Sequence, residues 1–235
     1  MMISINTSQK GFSLIELMVA MAIASILMAG IYTFYQHQLK THITQQEMVD
    51  MQQDARAAMY MMTREIRMAG YDPQNAGAAI RTANVAQMAF DSDIFGPSSG
   101  LSGVPTDPDE DPDGSIDTNE RFYYALDSGN LVRGSWDAGN PSSPADLNTV
   151  ALNIDALNFV YLDIDGDTTS DLEAIRSVQI TLVARSGDVV PVLMRKHTDN
   201  TIYRNQQDDL ILPAQNDNFR RIRLTATVKV RNLGL

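Results

Sequence analysis

The chain has 235 residues, 18 Lys plus Arg against 29 Asp plus Glu, and a formal net charge of −11. Its 44% hydrophobic content can fill a core and excludes wholesale disorder. The lack of Cys excludes a disulfide scaffold, thiolate metal sites and a cysteine nucleophile; three histidines, His37, His42 and His197, leave little for His-based chemistry, and the acidic balance argues against a nucleic-acid partner.

The first element follows residues 1–11 and runs over residues 12–35. Between Gly11 and Gln36 the only charge is Glu16. As a helix, Phe12 to Tyr35 would extend about 36 Å, enough to cross a bilayer. Lys10 ahead of it places the N-terminus on the cytoplasmic side, and Tyr32, Phe34 and Tyr35 fall where an interfacial aromatic belt belongs. A secretory signal peptide would stop after a shorter apolar run at a small-residue cleavage site, whereas here the helical pattern continues. A carboxylate in hydrocarbon is costly and marks a functional position. A natural partner for Glu16 is another intramembrane cation, such as a freshly exposed α-amino group on a neighbouring chain.

The second stretch, residues 36–70, continues the helix. From Gln36 to Ala69 there is no Pro or Gly, and strong helix formers dominate. Met48, Met51, Ala55, Ala58 and Met62 recur at steps of three and four, which predicts one face packed against a sheet. Gly70 and Pro73 end the element.

Residues 71–235 read as a β-rich domain outside the membrane. Residues 91–120 form an acidic loop between strands, rich in Asp, Pro, Gly and Ser. Strands are predicted at Arg121–Leu126, Asn130–Trp136, Val150–Ile154, Leu157–Leu162, Ser177–Arg185, Val189–Met194 and Arg221–Arg231. In the last, Ile222, Leu224, Ala226, Val228 and Val230 would face inward, while Arg221, Arg223, Thr225, Thr227 and Lys229 make a basic outer face. A long helix followed by strands predicts an α+β fold with an antiparallel sheet.

The acidic loops carry the recognisable ligand chemistry. Asp109 to Glu120 fits a twelve-residue calcium-loop template: Asp109, Asp111, Asp113 and Asp117 offer side-chain oxygens, Ser115 a carbonyl, Glu120 a bidentate carboxylate and Gly114 the sharp turn. Asp163, Asp165, Asp167 and Asp171 repeat part of that spacing without its last carboxylate, since Ala174 stands there. Calcium is therefore the one cofactor the residues point to. No phosphate loop, zinc-protease motif, nucleophile elbow or dinucleotide fingerprint is present in the sequence, so no enzymatic activity is expected.

Lys10-Gly11-Phe12-Ser13-Leu14-Ile15-Glu16, leading directly into an apolar helix, resembles the processing site of type IV prepilins and type II secretion pseudopilins. The resemblance implies cleavage after Gly11 by a membrane prepilin peptidase, N-methylation of Phe12 and a role for Glu16 in docking the subunit into a filament. Loss of the leader would change the net charge to −12, because it carries one Lys and no acid. Arg64 to Pro73, Phe159 to Asp167, Ala174 to Ile180 and the terminal Val228-Lys-Val-Arg-Asn-Leu233 are similar to segments of PilW-type minor pilins. The chain lacks the helix-kinking proline and C-terminal disulfide loop of many major pilins. The implied function is that of a minor pilin in the assembly or initiation of a type IV pilus. Its partners would be other pilins, the prepilin peptidase and the inner membrane, before passage to the periplasm and the cell-surface pilus. The alternatives are a minor pseudopilin of a type II secretion system and a calcium-stabilised tip module for adhesion.

Overall fold

A computed structural model describes residues 11–94, 112, 114–137, 139–187 and 197–233. It contains one long helix, α1 (Leu14–Met68), followed by strands β1 (Ile80–Ala83), β2 (Gln87–Asp91), β3 (Arg121–Asp127), β4 (Asn130–Asp137), β5 (Asn140–Ala151), β6 (Ile154–Leu162), β7 (Ser177–Arg185), β8 (Tyr203–Arg204), β9 (Leu210–Leu212) and β10 (Arg221–Lys229). The chain divides into two compact units, 1–46 and 47–235, so the later turns of α1 belong with the strands.

In the first unit the apolar side chains of α1 lie on all sides of the helix and are exposed, from Leu14 and Ile15 through Ile31 to Tyr35. Its few hydroxyls are satisfied internally: Ser25 donates to the Met21 carbonyl and Thr33 to those of Ala29 and Gly30. Such back-bonding hides polar groups that hydrocarbon would not solvate. Among the described residues α1 is the one helix long and apolar enough to cross a membrane, with a best-window mean hydropathy of 2.3.

In the second unit α1 buries Met51, Ala55, Ala58, Met59, Met62 and Ile66. The predicted face is present, with Met48 half-buried at its start. It packs on antiparallel sheets rather than one sheet: five strands in the order β1-β2-β3-β4-β5, three in the order β10-β7-β6, and the pair β8-β9. Ile80, Phe90, Phe122, Tyr124 and Leu131 from the first sheet join Phe159, Ile180, Leu182 and Val228 from the second in one core with the helix. Glu65 fixes the helix over the first sheet, accepting from the Tyr124 hydroxyl and from Arg133 Nε at 2.9 Å. Burial and the Glu65 carboxylate push the Tyr124 hydroxyl pKa well up, so it remains a donor. After α1 the backbone turns at Gly70, whose φ of +71° favours a residue without Cβ.

Central strand β7 is covered on both faces, which explains its long buried run. The β8-β9 ribbon is tied to the outer face of its sheet: Asn205 donates to Asn158 Oδ1 at 3.1 Å and Gln207 to Gln179 Oε1 at 2.8 Å. In β10 the predicted alternation holds, but Arg221 is not part of a solvated basic face. Its side chain is 2% exposed and bonded to Asp155, Asp199 and Asp217, carboxylates from β6 and from the segment preceding β10.

The strand at Val150–Ile154 is corrected as well: Ala151 ends β5 and Ile154 opens β6, with Asn153 at φ +56° between them. Val189–Met194 lies outside the described residues. Strands β1, β2, β8, β9 and most of β5 were not predicted. Gly134 lets β5 cross close over β4, since a Cβ there would meet the Ala145 carbonyl oxygen.

Candidate processing and assembly site

Gly11 and Phe12 precede the helix and are exposed, Phe12 at 92%. Among the described residues no atom beyond its chain neighbours lies within 4 Å of where a Gly11 Cβ would stand.

Glu16 lies in the first turn of α1. Its Oε2 accepts the Ser13 backbone N–H at 2.9 Å, the half of a capping box in which the third helical residue reaches back to the cap. The carboxylate, four residues from Phe12, thus holds the orphan amide of Ser13 while being carried on an otherwise apolar surface with Ile15, Val19, Ala20 and Ile23. One oxygen is used by the chain's own backbone, and the other has capacity for a second donor.

Of the calcium-loop residues, Asp109, Asp111 and Asp113 lie outside the described residues. Ser115 is exposed and Asp117 half-buried, and Gly114 adopts φ +80°, as a sharp turn demands. Glu120 is 1% exposed, inside a short 3-10 helix Thr118–Glu120 that leads into β3. Its Oε1 accepts the Ile94 N–H at 2.7 Å and its Oε2 the Asp117 N–H at 2.9 Å. Both oxygens therefore close the two ends of the β2–β3 connection.

The second run forms a tight turn after β6. Asp163 Oδ1 accepts the amides of Asp165 and Asp167, both at 3.0 Å, and Asp171 Oδ1 accepts that of Glu173. The turn places Gly166 at φ +90°. Among the described residues no three His, Cys, Asp or Glu side chains are gathered as a metal site, so Asp163, Asp165, Asp167 and Asp171 are not brought together.

Sequence reasoning did not single out Arg81, Asp91, Arg121 and Trp136, which the first sheet aligns. They are far apart in the chain, and only strand register joins them.

Comparison with known proteins accords with this geometry. The prokaryotic N-terminal methylation motif matches residues 6–32. The family described as prepilin peptidase-dependent protein B matches residues 44–229. No curated protein matches the chain. Among solved structures, a type IV-like pilin from Thermus thermophilus is similar at a TM-score of 0.50 and 16% identity, covering 77% of this chain and 97% of its own. That likeness concerns the fold: a long N-terminal helix packed on antiparallel sheets. The chain belongs to the prepilin peptidase-dependent protein B family, a type IV pilin-like family of structural subunits rather than enzymes.

Proposed function

We propose that the chain is a minor pilin of a type IV pilus. It would be cut after Gly11, methylated at Phe12, held in the inner membrane by residues 12–35 and added to the pilus through Glu16. The observation that carries this reading is the junction itself. An exposed Gly11-Phe12 pair opens a helix whose first stretch, up to Tyr35, exposes its apolar side chains on every side and carries one charge, Glu16, in its first turn. Such a surface needs a bilayer first and neighbouring helices afterwards, and Glu16 would offer its second oxygen to an α-amino group of a processed subunit. The similarity of the internal segments to PilW-type sequences supports the minor-subunit reading. The same features serve a minor pseudopilin of a type II secretion system, in which the subunit would extend a short periplasmic filament.

Two variants test the proposal. Gly11→Val should accumulate as an uncleaved membrane protein. Glu16→Ala should be processed and inserted, because removing an intramembrane charge relieves about 2.5–3.5 kcal/mol, but should be depleted from sheared pili. Normal incorporation of Glu16→Ala contradicts the assembly role. Unchanged piliation in a strain lacking the chain, together with lost type II secretion, moves the assignment to the pseudopilin.

A further inference from the structure

The outer face of the first sheet carries a transverse row of residues with one contribution from each strand. Asp91 of β2 pairs in register with Arg121 of β3. Tyr123 pairs with Gly134, which brings Arg121 opposite Trp136 of β4. Arg81 of β1 and Pro141 of β5 complete the row, and together with Ala76 and Ile116 these residues line a cleft of about 300 Å³. That size is at the small end of ligand sites and fits one side chain or one sugar-sized group.

The charges in the row do not balance. Arg81 Nε bonds Asp91 Oδ2 at 2.8 Å, and the other Asp91 oxygen accepts the Ala79 amide. Asp91 is therefore fully engaged. Arg121 donates from Nη2 to the Ile116 carbonyl at 3.1 Å and stacks on the indole of Trp136, 5.1 Å from the ring centroid. Its Nε is buried without a hydrogen-bond partner, and it forms no ion pair with a described carboxylate. Arg81 approaches the same indole at 6.0 Å. Among the described residues that line the cleft, two guanidiniums thus share one carboxylate around a fixed aromatic wall, leaving one positive charge there in a protein whose net charge is −11. Stacked on the ring and held to the Ile116 carbonyl, Arg121 loses little side-chain freedom on accepting an anion, and a planar fork suits a carboxylate.

We infer that this cleft binds a carboxylate, supplied by a single Asp or Glu side chain of an acidic peptide segment on a partner protein, with Arg121 as the ion-pairing group, Arg81 as its support and Trp136 as the wall. The inference does not depend on which filament the chain joins.

Trp136 is the only tryptophan in the chain, so its fluorescence reports on this cleft alone. The full-length protein in detergent micelles is titrated with a capped Gly-Glu-Gly peptide, with the Gly-Gln-Gly analogue and with glucuronate. A saturable change with the Glu peptide and none with the Gln analogue is expected. Arg121→Gln should weaken that binding about tenfold or more, as loss of a charge-assisted pair implies, with an unchanged circular dichroism spectrum. Arg121→Lys, which keeps the charge and loses the fork, should fall between the two. Equal responses to both peptides, or no saturable response, overturn the inference. Tighter binding of glucuronate than of the Glu peptide overturns the peptide assignment in favour of an acidic sugar.

Discussion

Arg221 shows how one side chain can organise an edge of the fold. Its Nε reaches Asp155 at 2.6 Å, Nη1 reaches Asp199 at 3.1 Å, and Nη2 reaches Asp217 at 2.6 Å. Arg185 adds a second cation to Asp155 and lies 4.3 Å from the Phe219 ring centroid. The cluster pins the segment between β7 and β10 to the sheet. Asp217 is held below the usual carboxylate range chiefly by its hydrogen bond from Arg221. For Asp199 burial pushes upward, but donors from Thr201, Arg221 and Tyr203 outweigh it and the net shift is down. The Tyr203 hydroxyl, half-buried against Asp199, is pushed up to about 12.

Depressed carboxylate pKa values contribute stability above about pH 4, and that contribution is lost as the pH falls through the lower folded values. Arg221→Met strands Asp199 and Asp217, while Asp155 keeps Arg185, and should cost about 3–5 kcal/mol at neutral pH in denaturant unfolding. The gap to the parent should narrow as the pH is taken below 4, where the stranded acids protonate. A constant gap across that range contradicts the cluster's role. The alternation of β10 predicted which side of the strand Arg221 occupies. Nothing local predicted that residues 155, 199 and 217 would cover it, because a strand's pattern gives its two faces and not their neighbours.

The helix was the most legible element. Its three- and four-residue apolar spacing, the absence of Pro and Gly from Gln36 to Ala69 and the Gly70 stop are all local signals, and α1 ends within a residue of the predicted Ala69. Strands β3, β4, β7 and β10 followed from alternation or continuous apolar runs. Strand β5 did not, because Pro141 and Pro144 read as loop. It survives because it is the last strand of its sheet, where a missing backbone donor on the free side costs no ladder bond. The loops gave a third outcome. Asp163 to Asp171 form a turn in which the Asp163 and Asp171 carboxylates accept nearby backbone amides, and Glu120 closes the β2–β3 connection.

Calcium at Asp109 to Glu120 is nonetheless a testable proposal of the sequence pattern. Thermal melting of the full chain should show a higher midpoint in calcium than in magnesium or chelator, since magnesium demands a tighter octahedral shell. Saturation a hundredfold above the dissociation constant would add about 2.7 kcal/mol. Equal midpoints in calcium and chelator contradict it. Glu120→Gln separates the two roles of this residue: loss of its carboxylate bonds to the Ile94 and Asp117 amides should lower the midpoint even in chelator.

At the scale of the whole molecule the sequence divides by how information is carried. The processing and assembly residues sit within six positions, Gly11 to Glu16, so they are legible without a structure. The Arg81–Asp91–Arg121–Trp136 row spans four strands and becomes visible only when register is known. The family assignment rests on both parts of the chain, the motif over residues 6–32 and the match over residues 44–229. On the proposed function what unites them is maturation: the apolar helix would pass from bilayer to filament only after residues 1–11 are removed and Phe12 becomes the N-terminus. Intact-mass and N-terminal fragment spectrometry of the chain from cells with an active prepilin peptidase tests this directly. The account predicts a protein that lacks residues 1–11 and begins at a Phe12 carrying one methyl group. A chain that retains its leader, or is cut at any bond other than Gly11–Phe12, would contradict it.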